Sequence, residues 1–356
     1  MRRLILNIHL FIALIAGAFI VLLGATGGVL AFEPELDRLR HPHLSYVAPG
    51  AKVLSLREIG DAVSQKSGGE PIVAYMPAVS PELSSQVVLP SSIVCVNQYT
   101  GEVLGARTRG QTFLGLARAL HVRLAGGSAG REIMKWSGVA ILFSLASGLY
   151  LWWPGKRVRI RGCWPSRGFW FDLHNAIGIL SFLPLVVLAL TATVIGFEDQ
   201  AKPLLEKLTS PAPVRTSQTV TKREPSTGAT PITPDEAVAI VRTQMPDLIP
   251  YRVQMPRYGG VYRVSLLNPH DKIAGGHNLF GVDPYSGNVL FSIRSSDLPF
   301  AEKILAVNQI IHTGDILGLP SRIIVWLTSV ILPVQVLSGL LMWWRRRRVP
   351  ASGTST

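Results

Sequence analysis

Apolar residues run almost unbroken through four stretches of the 356-residue chain, roughly 4–32, 135–153, 169–197 and 323–344. Each reaches or exceeds the ~20 residues a helix needs to cross a hydrocarbon core, so the pattern predicts four transmembrane helices. The two long stretches between the first and second and between the third and fourth read differently. There, short apolar runs flank tight turns at Tyr99-Thr100-Gly101 and Tyr285-Ser286-Gly287, within segments 96–104 and 282–290 that repeat each other. Gly101 and Gly287 suit the positive φ that such hairpin turns often need. Helices are expected at 54–67 and 234–244, the second opening on Thr233 with Glu236 three residues on, the spacing of a capping box. The expected fold class is therefore an α-helical membrane protein: four transmembrane helices arranged as a duplicated hairpin, with two small α+β modules outside the bilayer.

The duplication is the strongest signal. Residues 121–153 overlay 312–344 without a gap, matching His121 with His312, Arg131 with Arg322, Ser147-Gly148-Leu149 with Ser338-Gly339-Leu340 and Trp152-Trp153 with Trp343-Trp344. A second overlay, at a different offset, matches His9 with His174, Thr26 with Thr191 and Phe32-Glu33 with Phe197-Glu198. An imidazole near a bilayer is costly without a partner, and four at duplicated sites suggest a shared ligand, with haem iron held between two histidines as the natural candidate. A structural role, each ring satisfying a neighbouring helix or carbonyl, is the competing reading. His9 and His174 lie at similar depth, about five residues inside their spans, and could face each other; His121 and His312 precede the far ends of the second and fourth spans. Arg131 and Arg322, ten residues beyond His121 and His312, could meet a haem propionate or anchor the helices at the interface. From His9 to Phe32 is 23 residues, ~35 Å of helix, a long gap for one electron hop.

Charge sets the orientation. Positive residues concentrate at Arg2-Arg3, in the loop holding Lys156, Arg157, Arg159, Arg161 and Arg167, and at Arg345–Arg348. The positive-inside rule then keeps both termini in the cytoplasm and the two long segments outside, in a periplasm. The expected order is helix 1–32, module 33–130, helix 131–154, basic loop 155–168, helix 169–197, module 198–320, helix 321–344 and tail 345–356. The net charge of +13 needs no nucleic acid, because much of it faces anionic lipid; the basic loop is either a solvated flank or a surface for an electron donor. With 48% hydrophobic and 16% charged residues and a mean hydropathy of +0.32, the chain fits a membrane protein with polar insertions. The first apolar run is about twice the length of a signal-peptide core, so it is expected to remain as a helix.

Several residues carry less. Cys95 and Cys163 fall on opposite sides of the bilayer and cannot join within one chain. His41, His43, His270 and His277 have no repeat counterparts; most read as surface residues, with His270 and His277 a weak substrate-site candidate. The Trp pairs read as an interfacial belt. Short helices are expected at 113–124 and 300–313, and the Pro/Ser/Thr-rich stretch 209–234 reads as a linker. No side chain is singled out as catalytic.

Asn7-Ile8-His9-Leu10, Leu120-His121, Phe169-Trp170-Phe171-Asp172-Leu173-His174-Asn175, Ile311-His312-Thr313-Gly314 and the two Ser-Gly-Leu-x-x-Trp-Trp ends together resemble the PepSY-associated transmembrane proteins. That family includes iron-regulated inner-membrane proteins and FoxB-like ferric-siderophore reductases. The resemblance covers nearly the whole chain, and the paired Tyr-Thr-Gly and Tyr-Ser-Gly hairpins look like the PepSY module itself. It implies two haem b groups bound by His9, His174, His121 and His312 in a bacterial inner membrane, and one-electron reduction of a ferric siderophore in the periplasm. No Gly-x-Gly-x-x-Gly turn follows a strand, so flavin or nicotinamide would belong to a separate cytoplasmic or membrane electron donor. Two other classes compete: a non-enzymatic PepSY sensor, assembly or peptidase-regulating protein, and a permease for the iron chelate. Four spans without a broken helix or intramembrane carboxylate count against the permease.

Overall fold

The computed structural model describes residues 1–108, 112–156, 158–209, 230–256, 260–268 and 278–347, excepting the side chains of 346 and 347. Arg157, His270, His277, residues 210–229 of the expected linker and the Arg346–Arg348 side chains lie outside the described residues. In chain order the helices are α1 (Arg2–Leu30), α2 (Glu33–Arg40), α3 (Pro42–Ser45), α4 (Leu56–Lys66), α5 (Phe113–Arg123), α6 (Gly127–Trp152), α7 (Arg167–Leu180), α8 (Phe182–Gly196), α9 (Glu198–Thr209), α10 (Pro234–Gln244), α11 (Phe300–Thr313) and α12 (Leu319–Arg347). The strands are β1 (Ala74–Met76), β2 (Ser85–Val88), β3 (Ser92–Val96), β4 (Val103–Thr108), β5 (Ile249–Gln254), β6 (Tyr262–Leu267), β7 (Asn278–Val282) and β8 (Val289–Ile293). The chain divides into a helical unit, 1–33, 113–205 and 305 onward, and a second unit, 34–112 and 206–304.

The fold class expected from hydropathy is corrected in two respects. First, among the described residues only α1, α6 and α12 are single helices long and apolar enough to cross a membrane. The stretch 169–197 is broken between α7 and α8, which are bent by 66° at Ser181. Two residues account for the break. The Ser181 hydroxyl donates to the Ile177 carbonyl at 2.6 Å, competing with the helix ladder. Pro184, the third residue of α8, has no N–H for the Leu180 carbonyl, and its ring crowds that oxygen. Second, the two modules are not separate. All eight strands form one antiparallel sheet, ordered β4-β3-β2-β1-β5-β6-β7-β8.

The halves of that sheet join where β1 pairs with β5, Ala74 opposite Gln254 and Tyr75 opposite Val253. Alone, each half would expose an unpaired edge with free N–H and C=O groups; pairing removes both edges at once. It also merges two small apolar faces. Ile59 and Val63 of α4, Ala237 and Val241 of α10, and Val87, Val96, Val253, Val264, Phe280 and Val282 of the strands form one buried cluster. The helices are tied at their starts as well, since the Asp235 carboxylate accepts from the backbone N–H groups of Leu56 and Arg57 at 2.7 and 2.9 Å. Those are N–H groups that the first turn of α4 cannot satisfy internally. Both helices carry complete capping boxes, Ser55 with Glu58 and Thr233 with Glu236.

In the helical unit, α1 packs on α12 and α6, α6 also on α8, and α7 on α12. Small residues set the closest approach, as in membrane helix pairs generally. A methyl group at Gly24 would meet the Pro333 ring at 2.5 Å and the Ser329 carbonyl oxygen at 2.7 Å; at Gly28 the nearest atoms stand 3.7 Å away.

Gly24→Ala is therefore expected to destabilise the helical unit by about 1–3 kcal/mol, as overpacking does. Gly28→Ala should be neutral or slightly stabilising, since alanine is the better helix former. Thermal unfolding in detergent compares the two, and equal midpoints would discard this account of the α1–α12 contact. A second expectation concerns acid. Hydrogen bonds from the backbone and hydroxyl of Ser55 hold the exposed Glu58 carboxyl below its ordinary 4.5, and Thr233 does the same for Glu236. Because the folded value is the lower one, the caps contribute fully above pH 4.5 and fade as pH falls through the folded value. Amide protection factors, corrected for the intrinsic pH dependence of exchange, should fall over that range in the first turns of α4 and α10 of the wild type and lack the step in Glu58→Gln and Glu236→Gln; a pH-independent protection factor in the wild type would contradict it.

Candidate functional site

The helical unit brings its four histidines together in two pairs. His9 on α1 faces His174 on α7 with ring centres 6.3 Å apart, and His121 on α5 faces His312 on α11 with ring centres 6.4 Å apart. Every pair takes one ring from each half of the duplication.

Each ring is held through Nδ1. His9 meets the Ser147 hydroxyl at 2.9 Å, His121 the Thr26 hydroxyl at 3.0 Å, and His312 the Thr191 hydroxyl at 3.0 Å. His174 meets the Ser338 hydroxyl at 3.1 Å and the Gln335 carbonyl oxygen at 3.0 Å. The direction of these bonds follows from the hydroxyls. Ser147 donates to the Phe143 carbonyl, Thr26 to that of Leu22, Thr191 to that of Val187 and Ser338 to that of Gln335. A hydroxyl has one proton, so each accepts from the imidazole, and all four rings carry hydrogen on Nδ1. Nε2 is left with a free lone pair, the form that binds a metal.

The separation suits an iron atom that brings its own equatorial ligands. Two metal–imidazole bonds of about 2.0 Å, plus about 1.1 Å from each nitrogen to its ring centre, place the ring centres roughly 6.2 Å apart. A bare ion is a poorer fit: among the described residues no three His, Cys, Asp or Glu side chains come together, and two imidazoles alone do not complete a metal's shell. Glycines make room beside the rings. A methyl at Gly148 would lie 3.5 Å from His9 Cε1, at Gly339 3.2 Å from His174 Cε1, and at Gly27 3.2 Å from His121 Cε1.

A cavity of about 290 Å³ surrounds the His9–His174 pair. Along α1 its lining runs from Leu6 and Asn7 to Ile20, and Trp152, Trp343 and Arg167 border the end near Asn7. Phe182 and Leu185, just past the break at Ser181, line it too, so the bend that interrupts α7 and α8 also shapes this cavity. Trp153 and Trp344 are exposed, as an interfacial belt requires, whereas their neighbours Trp152 and Trp343 turn inward. An aliphatic layer separates the pairs: Ile20, Ile141 and Ala189, with Leu23, Leu332 and Val336 packed against them. The second pair sits at the level of Thr26, not Phe32, so the pairs are 17 residues apart along α1, ~26 Å rather than ~35 Å.

Neither duplicated arginine lines this cavity. Arg322 donates to the Ala31 carbonyl at 3.1 and 2.7 Å and lies over the Phe32 ring at 4.9 Å, satisfying the end of α1. Arg131 is half-exposed, 3.9 Å from Asp199. In the other unit His41 and His43 stand edge to face, 6.3 Å apart, and Cys95 is a free thiol, as is Cys163 in the helical unit. Sequence reading missed the work of Ser147, Ser338, Thr26 and Thr191. The signal was present, because the two overlays pair these hydroxyls with each other just as they pair the histidines.

A family model described as the PepSY-associated TM region matches residues 6–346. The chain belongs to that family. It is a membrane protein, and the match takes in both the histidine-bearing helices and the eight-stranded sheet of this PepSY-associated chain. No curated protein matches it.

Proposed function

We propose that this PepSY-associated protein is a di-haem b electron carrier of the bacterial inner membrane that reduces a ferric siderophore on the periplasmic side and so releases iron. The observation that carries this reading is the pairing of four imidazoles, each fixed with hydrogen on Nδ1 and a free lone pair on Nε2. When bound, haem b supplies reversible one-electron exchange at its iron. The protein's own residues do the rest. His9 with His174, and His121 with His312, would hold the two irons through Nε2. Ser147, Ser338, Thr26 and Thr191 fix the tautomer and raise the basicity of the ligating nitrogen. Ile20, Ile141 and Ala189 keep water out of the layer between the pairs.

Direction comes from charge. Arg2, Arg3, the 155–168 loop and Arg345 mark the cytoplasmic face, with both chain ends on that side when the bent α7–α8 pair crosses as one span, and a cytoplasmic or membrane donor is oxidised there. The sheet unit works in the periplasm, where the ferric chelate gains one electron. Ferrous iron is softer, hard oxygen ligands hold it less tightly, and the metal leaves. The permease reading gains one feature it lacked, the broken helix at Ser181. That break, however, borders the histidine cavity, and the Ile177 carbonyl beside it accepts from both the backbone N–H and the hydroxyl of Ser181.

Protein purified from haem-replete cells should show a sharp, dithionite-reducible low-spin spectrum; a haem-free product would leave the non-enzymatic sensor as the better reading. His9→Ala and His174→Ala should each remove one and the same haem, and His121→Ala and His312→Ala the other. Loss grouped as His9 with His121 would refute the pairing. Ser147→Ala and Ser338→Ala should weaken haem retention at the first site, and Thr26→Val and Thr191→Val at the second, by the roughly 10–100-fold typical of such supporting groups.

Dithionite-reduced protein should also be reoxidised by a ferric siderophore, with the ferrous iron trapped by a chromogenic chelator. The His121→Ala and His312→Ala variants should lose this reaction while keeping the other haem. An unchanged rate in both would move the site of chemistry elsewhere.

A further inference from the structure

The cavity around His9 and His174 is not uniform from end to end. It follows α1 from Leu6 and Asn7 to Ile20, 14 residues or ~20 Å of helix. At the Ile20 end it is bordered by the aliphatic side chains of Ile141, Leu185 and Leu332, with the polar Ser144 and Gln335 one turn nearer the histidines. Around His174 and towards the Asn7 end lie the polar side chains of Asn7, Asn175 and Arg167. Arg167 is the first residue of α7, seven before His174, and so lies ~10 Å from it along the helix axis. Among the described residues no carboxylate pairs with it. Arg131, Arg107, Arg118 and Arg322, by contrast, each have an acid within ion-pair range.

A haem is asymmetric in the same sense, with two propionate carboxylates on one edge and apolar substituents on the other. An ionised carboxylate among Ile20, Ile141 and Leu332 would be desolvated without a partner, whereas at the opposite end the solvent-exposed Arg167 can pair with it. Guanidinium geometry matches a carboxylate in a bidentate fork, which the amide of Asn7 can supplement.

We propose that Arg167, with Asn7 lining the same end, binds the propionates of the macrocycle held between His9 and His174, and so orients its carboxylate edge towards the Asn7 end of the cavity. This rests on the haem reading above. The arginine is a positioning residue. Its positive charge beside the macrocycle disfavours the oxidised iron, which carries one positive charge more than the reduced form.

The test is a redox titration with resonance Raman spectra of the wild type, Arg167→Gln, Arg167→Lys and Asn7→Leu, with Arg131→Gln as the control. The relevant haem is the one absent from His174→Ala. In Arg167→Gln its midpoint should fall and its propionate-bending band should shift, while the second haem stays unchanged. Arg167→Lys should recover the midpoint in part but not the band, because it keeps the charge and loses the fork. Asn7→Leu should perturb the same band. A haem-bearing Arg167→Gln with both signals unchanged would overturn the assignment, and so would the same shifts in Arg131→Gln. A wild type without haem is a separate result: it would remove the reading on which the assignment rests.

Discussion

A hydrogen bond from imidazole Nδ1–H to a hydroxyl whose own proton is already engaged organises the helical unit. The hydroxyls of Thr26, Thr191, Ser147 and Ser338 each donate to a carbonyl three or four residues back on their own helix. In a soluble helix that bond merely competes with the ladder. Here it removes the ambiguity of the hydroxyl, which can then only accept. Without that constraint a neutral histidine would be free to take either tautomer, and its Nε2 would be as often a donor as a ligand. Thr26, Thr191 and Ser338 are buried, so water does not substitute for them. Glycines follow from the same requirement. Gly148 and Gly339 directly follow Ser147 and Ser338, and Gly27 directly follows Thr26, so the turn that supplies the acceptor also clears space for the ring.

The sheet unit depends on a different constraint, the closing of an exposed edge. β1 has only three residues and could not stabilise an edge of its own. Paired to β2 on one side and β5 on the other, it becomes an interior strand, with Tyr75 and Ala74 almost wholly buried. The Asp235 carboxylate reinforces the junction, because it lies on α10 yet satisfies α4. Two repeats that look like independent modules therefore share a sheet, a core and a helix cap.

What the sequence disclosed follows a physical rule: features carried by side-chain identity at fixed spacing were legible, and features carried by the backbone were not. His9, His121, His174 and His312 stand out because the duplication repeats them, and the structure brings them into the two pairs that depth alone suggests. Thr233 with Glu236 was legible as a cap for the same reason. The bend at Ser181 was hidden because hydropathy measures the length of an apolar run and not the continuity of its ladder. Proline is an incomplete guide, since Pro333 lies inside α12 and leaves it a single helix, whereas Pro184 together with Ser181 ends one helix and starts another. The joining of the sheet was hidden as well. Ala74-Tyr75-Met76 is too short to alternate, and its partner strand lies some 180 residues away along the chain. The bond from Arg322 to the main-chain carbonyl of Ala31 was hidden too, because no side-chain pattern points to a carbonyl.

The division of labour between the repeats explains why the duplication is required and not redundant. Every hydrogen bond that orients an imidazole stays within one repeat: His9 with Ser147 and His121 with Thr26 in the first, His174 with Ser338 and His312 with Thr191 in the second. Every imidazole pair crosses between repeats. One repeat alone would thus hold two correctly oriented rings and complete neither pair. The packing obeys the same split, with α1 on α6 and α7 on α12 inside the repeats, and α1 on α12 and α6 on α8 between them. The contacts between repeats set the distance across each pair, and the contacts within them set the orientation of each ring. A substitution such as Gly24→Ala, which acts on the α1–α12 contact, therefore bears on ring separation, whereas loss of Ser147 or Thr191 bears on ring orientation at unchanged separation. The two failures are different in kind, and a site that needs both parameters at once is reached only when two oriented halves meet.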